Sequence, residues 1–175
     1  VSQAIDLLDG IGLREYQQKL PPHFPSSIGA HIRHITDHFL ALIDGHSKGH
    51  VDYNIRHRHN QIEQFPCAAI EALEDIAHWL NNLQEDCLDN MLTVTSEVDV
   101  SRTHSATCSS TFERERVFAS SHAIHHYALT RLVCSMQTKE VSELFGYARA
   151  TISHSTYTAH CLRFLLKSFD EHNIL

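Results

Sequence analysis

The sequence predicts an all-α protein: a four-helix bundle with a short extended excursion near residues 91–112, just before the fourth helix. Two observations carry that expectation. Four separate stretches place apolar residues at the three-to-four-residue spacing of an amphipathic helix, and a Thr- and Ser-rich stretch ahead of the fourth abandons that period. A third observation bounds the organisation. A chain of 175 residues that is 42% hydrophobic can bury one sizeable core and leaves no room for a second, so residues 1–175 read as a single domain.

The elements follow in order. The first helical stretch, Ser2 to Leu20, carries Ile5, Leu8, Ile11, Tyr16 and Leu20 at roughly helical spacing, although Gly10 and Gly12 weaken it. Pro21, Pro22 and Pro25 end it. Ser26 and Ser27 then offer N-cap hydroxyls to a second helix that runs to about Gly45, with Ile28, Ile32, Ile35, Phe39, Leu42 and Ile43 along its core face. From His46 to Phe65 the chain is polar and reads as loop, including the mixed run Arg56-His57-Arg58-His59. Pro66 suits the first turn of a third helix that reaches Leu88, with Ile70, Leu73, Ile76, Ala77, Leu80 and Leu83 as its stripe. Leu92-Thr93-Val94-Thr95 and Thr107 to Phe112 favour two short strands or an extended excursion. A fourth helix runs from Glu113 to Met136 on Phe118, Ile124, Leu129, Leu132 and Val133. The tail offers a short segment, Val141 to Tyr147, and a helical stretch from Thr156 to Phe169.

Charge narrows the function. The 14 basic residues are outnumbered by 21 acidic ones, giving a formal net charge of −7, and no basic stripe is present. Nucleic acid and anionic membranes are therefore poor partners. No apolar run approaches the roughly 20 residues of a membrane span, and Val1-Ser2-Gln3-Ala4-Ile5-Asp6 lacks the basic start of a secretory signal, so a cytoplasmic protein is expected. Cys67, Cys87, Cys108, Cys134 and Cys161 form an odd set without a C-x-x-C pair and read as free thiols. A homodimer is compatible with a bundle that has a spare apolar face.

The 16 histidines are the chemical signal. His122 and His126 stand one helical turn apart on one face of the fourth helix, so both can reach one ion. His125 lies about 60° to the other side of His122. On the second helix His31, His34 and His38 occupy one broad face, with His34 and His38 roughly 40° apart. Three imidazoles from two facing helices leave a coordination position open, which is the arrangement of a catalytic metal site. Glu115, two turns before His122 on nearly the same stripe, is placed to accept an imidazole N–H.

Ser27-Ile28-Gly29-Ala30-His31-Ile32-Arg33-His34-Ile35-Thr36-Asp37-His38-Phe39 resembles the second-helix motif of the DinB-like (DNA-damage-inducible, YfiT-type) family of small helical bundle proteins. Ser121-His122-Ala123-Ile124-His125-His126-Tyr127-Ala128-Leu129 resembles that family's H-x-x-x-H motif, in the same order along the chain. The resemblance implies His34, His122 and His126 as metal ligands, with His31 and His38 as rivals on the second helix and His125 on the fourth. Tyr127-Ala128-Leu129 departs from the family, where many members have Arg-Gly-Gln.

Three neutral imidazoles with open positions suit zinc or nickel, and admit iron or manganese if carboxylates or waters complete the shell. A di-iron centre is not expected, because bridging carboxylates and Glu-x-x-His pairs are missing from the sequence. Family resemblance implies a metal-dependent enzyme, either a small-thiol transferase or a hydrolase, acting on a substrate such as a low-molecular-weight thiol. His31, Asp37, His38 and His125 are then candidate proton carriers or pocket groups. Asp52-Tyr53 with Arg56 and Arg58 is a candidate contact for an anionic substrate, although a solvated loop explains it as well. The competing expectation is a non-enzymatic metal-binding or stress-response module in which the metal is structural or sensory.

Overall fold

The structure, a computed structural model, describes residues 1–55, 60–148 and 150–153. Its architecture corrects the expected all-α class. Among the described residues seven helices, one of them a 3₁₀ turn, accompany a three-stranded mixed sheet. The helices are α1 (Ser2–Asp9), α2 (Leu13–Gln17), α3 (Ile28–Lys48), α4 (Asn60–Gln64), α5 (Pro66–Asn81) and α6 (Phe112–Met136), with the 3₁₀ turn at Glu85–Cys87. The strands are β1 (His50–Asp52), β2 (Met91–Glu97) and β3 (Ser105–Thr111).

The sheet has order β1-β2-β3. β1 runs parallel to β2, with Val51 opposite Val94, and β3 runs antiparallel to β2, with Cys108 opposite Val94. The excursion expected at 91–112 is thus the β2–β3 hairpin, and its hydroxyl-bearing and β-branched residues suit a pleated surface. β1 lies in the stretch that reads as loop. Three residues are too few to display alternation, and its pairing with β2 is a long-range contact. Val51 (0% exposed), Leu92 and Val94 turn into the core, which is how a sheet joins an otherwise helical protein.

Local chemistry sets the other boundaries. The single long helix expected over residues 2–20 is two helices broken at Gly10-Ile11-Gly12. Ser27 caps α3 by accepting the Ala30 N–H at 3.1 Å. That helix continues past Gly45 to Lys48 and stops at Gly49, whose φ of 67° is the left-handed cap that glycine tolerates. Gly45 lets β1 lie against α3, because a Cβ there would collide with Val51 Cγ2 and stand 2.8 Å from the His50 carbonyl oxygen. α5 ends at Asn81 rather than near Leu88. α6 springs directly from β3. Thr111 Oγ1 accepts the Arg114 N–H at 3.3 Å, while the Phe112 and Glu113 N–H groups donate to the Asn90 and Leu88 carbonyls at 3.0 and 2.9 Å.

One core unites these parts: α3 packs on α4, α5, α6 and β1, and α1 packs on α5. Its largest fully buried side chains include Tyr16, Phe39, Phe112, Ile28, Ile32, Ile35 and Leu42. Arg56 to His59 and the helical stretch expected at 156–169, with Cys161, lie outside the described residues. Of the remaining cysteines Cys67 and Cys108 are exposed, Cys87 is half-buried and Cys134 is buried, all as free thiols. No helix among the described residues is long and apolar enough to cross a membrane.

Candidate metal centre

The facing sides of α3 and α6 bring five imidazoles together. His34 and His122 are the central pair, with their Nε2 atoms 3.0 Å apart. Two imidazoles on a tetrahedral ion with metal–nitrogen bonds of about 2.0–2.1 Å have nitrogens about 3.3 Å apart, so this separation is close to what a shared ion requires. His38 completes a set of three: one ring nitrogen from each of His34, His38 and His122 lies within 4.8 Å of the others. His38 is buried, and the other two are half-buried.

Local hydrogen bonding prepares His38. Its Nδ1–H donates to the His34 carbonyl oxygen, one turn back along α3, at 2.9 Å. In the neutral ring that leaves the lone pair on Nε2, the tautomer a metal ligand needs. The His38 ring stacks on His122 with centroids 4.1 Å apart and planes 27° apart. Two further aromatic rings border the cluster. Tyr53 stacks on His38 at 5.2 Å, and Phe118 stacks on His122 at 5.9 Å.

His126, expected beside His122, has its ring 4.6 Å from those of both His34 and His122. Its Nδ1 faces His31 Nδ1 at 3.0 Å, so His126 and His31 form a second imidazole pair against the first. Burial, then the neighbouring His122, His31, His125 and His38, pushes His126 down to about 3. Burial and His125 also lower His31. Both are neutral near pH 7, the state in which imidazoles coordinate. His125 is exposed, and its ring lies 5.5 Å from that of His126.

The two carboxylates singled out from the sequence each hold charged or polar neighbours. Asp37 is 2% exposed and pairs with Arg33 at 2.8 Å; the same guanidinium holds Glu63 on α4 at 2.8 Å. Glu115 is fully buried and accepts from the Tyr53 hydroxyl at 2.9 Å, Ser110 Oγ at 2.6 Å and Arg114 Nη1 at 2.7 Å. Through Tyr53 it reaches the His38 ring. Tyr53 lies in the stretch whose sequence suggests loop, and only Asp52 and Tyr53 of the expected anionic-substrate contact fall within the described residues. Sequence reasoning held a signal for His38: with His34 it repeats the i, i+4 spacing of His122 and His126.

No family model matches the chain, and no solved structure matches it. A curated protein from Rhizopus delemar, named FK506-binding protein 5, is 32% identical to it over 104 residues, which cover 59% of this chain and 27% of that protein. The chain therefore spans about a quarter of the length of that relative, whose name speaks of FK506 and not of a metal.

Proposed function

We propose that this chain binds one divalent metal ion, zinc or nickel, between α3 and α6, and acts as a metal-dependent enzyme of DinB-like kind on a small molecule. The reaction class is transfer of a low-molecular-weight thiol onto an electrophile, or hydrolysis. The observation that carries this reading is the convergence of the His34, His38 and His122 nitrogens within 4.8 Å. Their chemistry fits the ion: imidazole nitrogen donors, one with its ring held by a backbone carbonyl, drawn from two helices. His34, His38 and His122 would hold it.

A divalent ion in such a shell keeps its full charge, and so supplies Lewis acidity that favours the deprotonated form of water or a thiol. The chain's own residues set the surroundings. Phe118 and Tyr53 wall one side with apolar rings. His126 and His31, kept neutral by burial, add no positive charge beside the ion. His125 stands exposed next to His126.

One observation favours a second reading. His126 brings a fourth imidazole beside the set, its ring centroid 4.6 Å from those of His34 and His122. Four nitrogen ligands would close the shell and make the metal structural or sensory. Two assays separate the readings. Zinc- or nickel-loaded protein is given a small thiol with an electrophile, and separately an ester or amide, with His122→Ala as the control. Thermal melts are recorded before and after chelation. Turnover that disappears with His122, in a protein that still melts cooperatively after chelation, supports the enzyme. Cooperative folding that is lost with the metal, without turnover, supports the structural reading.

A further inference from the structure

The sheet and the histidine cluster meet at Tyr53. This residue lies one position beyond β1, is 6% exposed, and stacks on His38 with planes 22° apart. Its hydroxyl donates to Glu115, a wholly buried carboxylate at the start of α6. A buried carboxylate is costly unless its lone pairs are satisfied, and three donors satisfy this one: Tyr53, Ser110 from the end of β3, and Arg114. The Arg114 guanidinium also sits 5.3 Å over Phe118, whose ring in turn lies 5.2 Å from Tyr53 and 6.3 Å from His38. Burial and then the Glu115 charge raise the Tyr53 hydroxyl, so it stays protonated and acts as a donor, not as a phenolate ligand.

We propose that Tyr53, anchored by Glu115, is a positioning residue that sets how the His38 imidazole faces the ion. The proposal rests on the metal reading above and extends it: β1, β3 and the first turn of α6 converge to hold one ring of the α3 cluster. Carboxylates and hydroxyls standing behind metal-binding imidazoles commonly tune affinity by 10–100-fold. Here the tuning passes through a stacked ring, and not through a hydrogen bond to the imidazole.

The test compares the wild-type chain with Tyr53→Phe, Tyr53→Leu and Glu115→Gln. Tyr16→Phe is the control, because it removes a buried hydroxyl that bonds the Ile62 carbonyl instead of a carboxylate behind a histidine. Zinc affinity is measured by chelator competition, the cobalt(II) visible spectrum reports ligand geometry, and melts of the metal-free proteins report stability. Tyr53→Leu is expected to weaken zinc about 10–100-fold and to shift the cobalt bands. Tyr53→Phe, which keeps the ring, should lose less, and Glu115→Gln, which keeps an acceptor for the hydroxyl, should retain most of the affinity. Tyr16→Phe should lower stability and leave both metal readouts alone. If Tyr53→Leu does not fold, Tyr53→Phe against Tyr16→Phe carries the comparison. Wild-type affinity and spectrum in the Tyr53 variants, with only a stability loss, would overturn the positioning role and leave the metal reading standing. A wild type that takes up neither zinc nor cobalt would overturn both.

Discussion

Zinc should raise the melting temperature of the metal-free protein, and the rise should depend on His122. The ligand set spans α3 and α6, helices separated by the whole of α4, α5 and the hairpin, so only the folded chain brings the nitrogens together. An ion that binds the native state alone stabilises it by RT ln(1 + [L]/Kd), about 2.7 kcal/mol at a free concentration of 100 Kd. For a chain of this size about 2–4 °C accompanies each kcal/mol, so the expected shift is about 5–11 °C. Each further tenfold of zinc should add about 1.4 kcal/mol. The assay is far-ultraviolet circular dichroism across a buffered zinc series, with wild type beside His122→Ala. Exposed histidines elsewhere bind zinc weakly in both proteins, so the difference between the two curves is the quantity that decides. A melting temperature that does not move with zinc, or moves equally in both proteins, would refute the reasoning.

Three other outcomes follow from the geometry. Glu115→Ala should destabilise the fold by about 3 kcal/mol in urea titrations. It orphans the Tyr53 hydroxyl and strips Ser110 of its acceptor, whereas Arg114, 64% exposed, loses little by way of its ion pair. Gly45→Ala should cost about 1–3 kcal/mol by forcing β1 off α3, and the loss should exceed that of an alanine at the open Gly10. Acid should unfold the metal-free protein partly through His126. Its folded value of about 3 lies below the ordinary 6.5, so the unfolded chain takes up a proton first. That contribution is complete above about 6.5 and shrinks as pH falls toward 3, so wild type should lose more stability than His126→Gln between neutral pH and pH 4.5. Equal losses in the two proteins would contradict the depressed value.

What could be read from the sequence and what could not divide along a physical line. α3 and α6 were legible because caps and periodicity are local: Ser27 precedes a clean apolar stripe, and the Thr-rich run ends where α6 begins. The histidine clusters were legible for the same reason, since a face of a helix is a property of spacing. The sheet was half legible. β2 and β3 carry the β-branched composition of strands, but His50-Val51-Asp52 is a strand only because Val94 is there to pair with it. That strand turns the expected excursion into a three-stranded sheet, and Tyr53, one of the three donors to Glu115, follows directly after it. Which imidazoles meet is likewise not local. His34, His38 and His126 differ by small rotations about their helix axes, and the packing of α3 on α6 decides which nitrogens converge.

The most direct test of the central claim is the metal content of protein purified without nickel affinity, measured by elemental analysis beside a His34→Ala/His122→Ala variant. The account predicts about one zinc or nickel per chain in the native protein and none held by the variant, since the pair with Nε2 atoms 3.0 Å apart is the heart of the site. A native protein that carries no metal and takes up neither zinc nor nickel, or a variant that holds as much as the native protein, would contradict it.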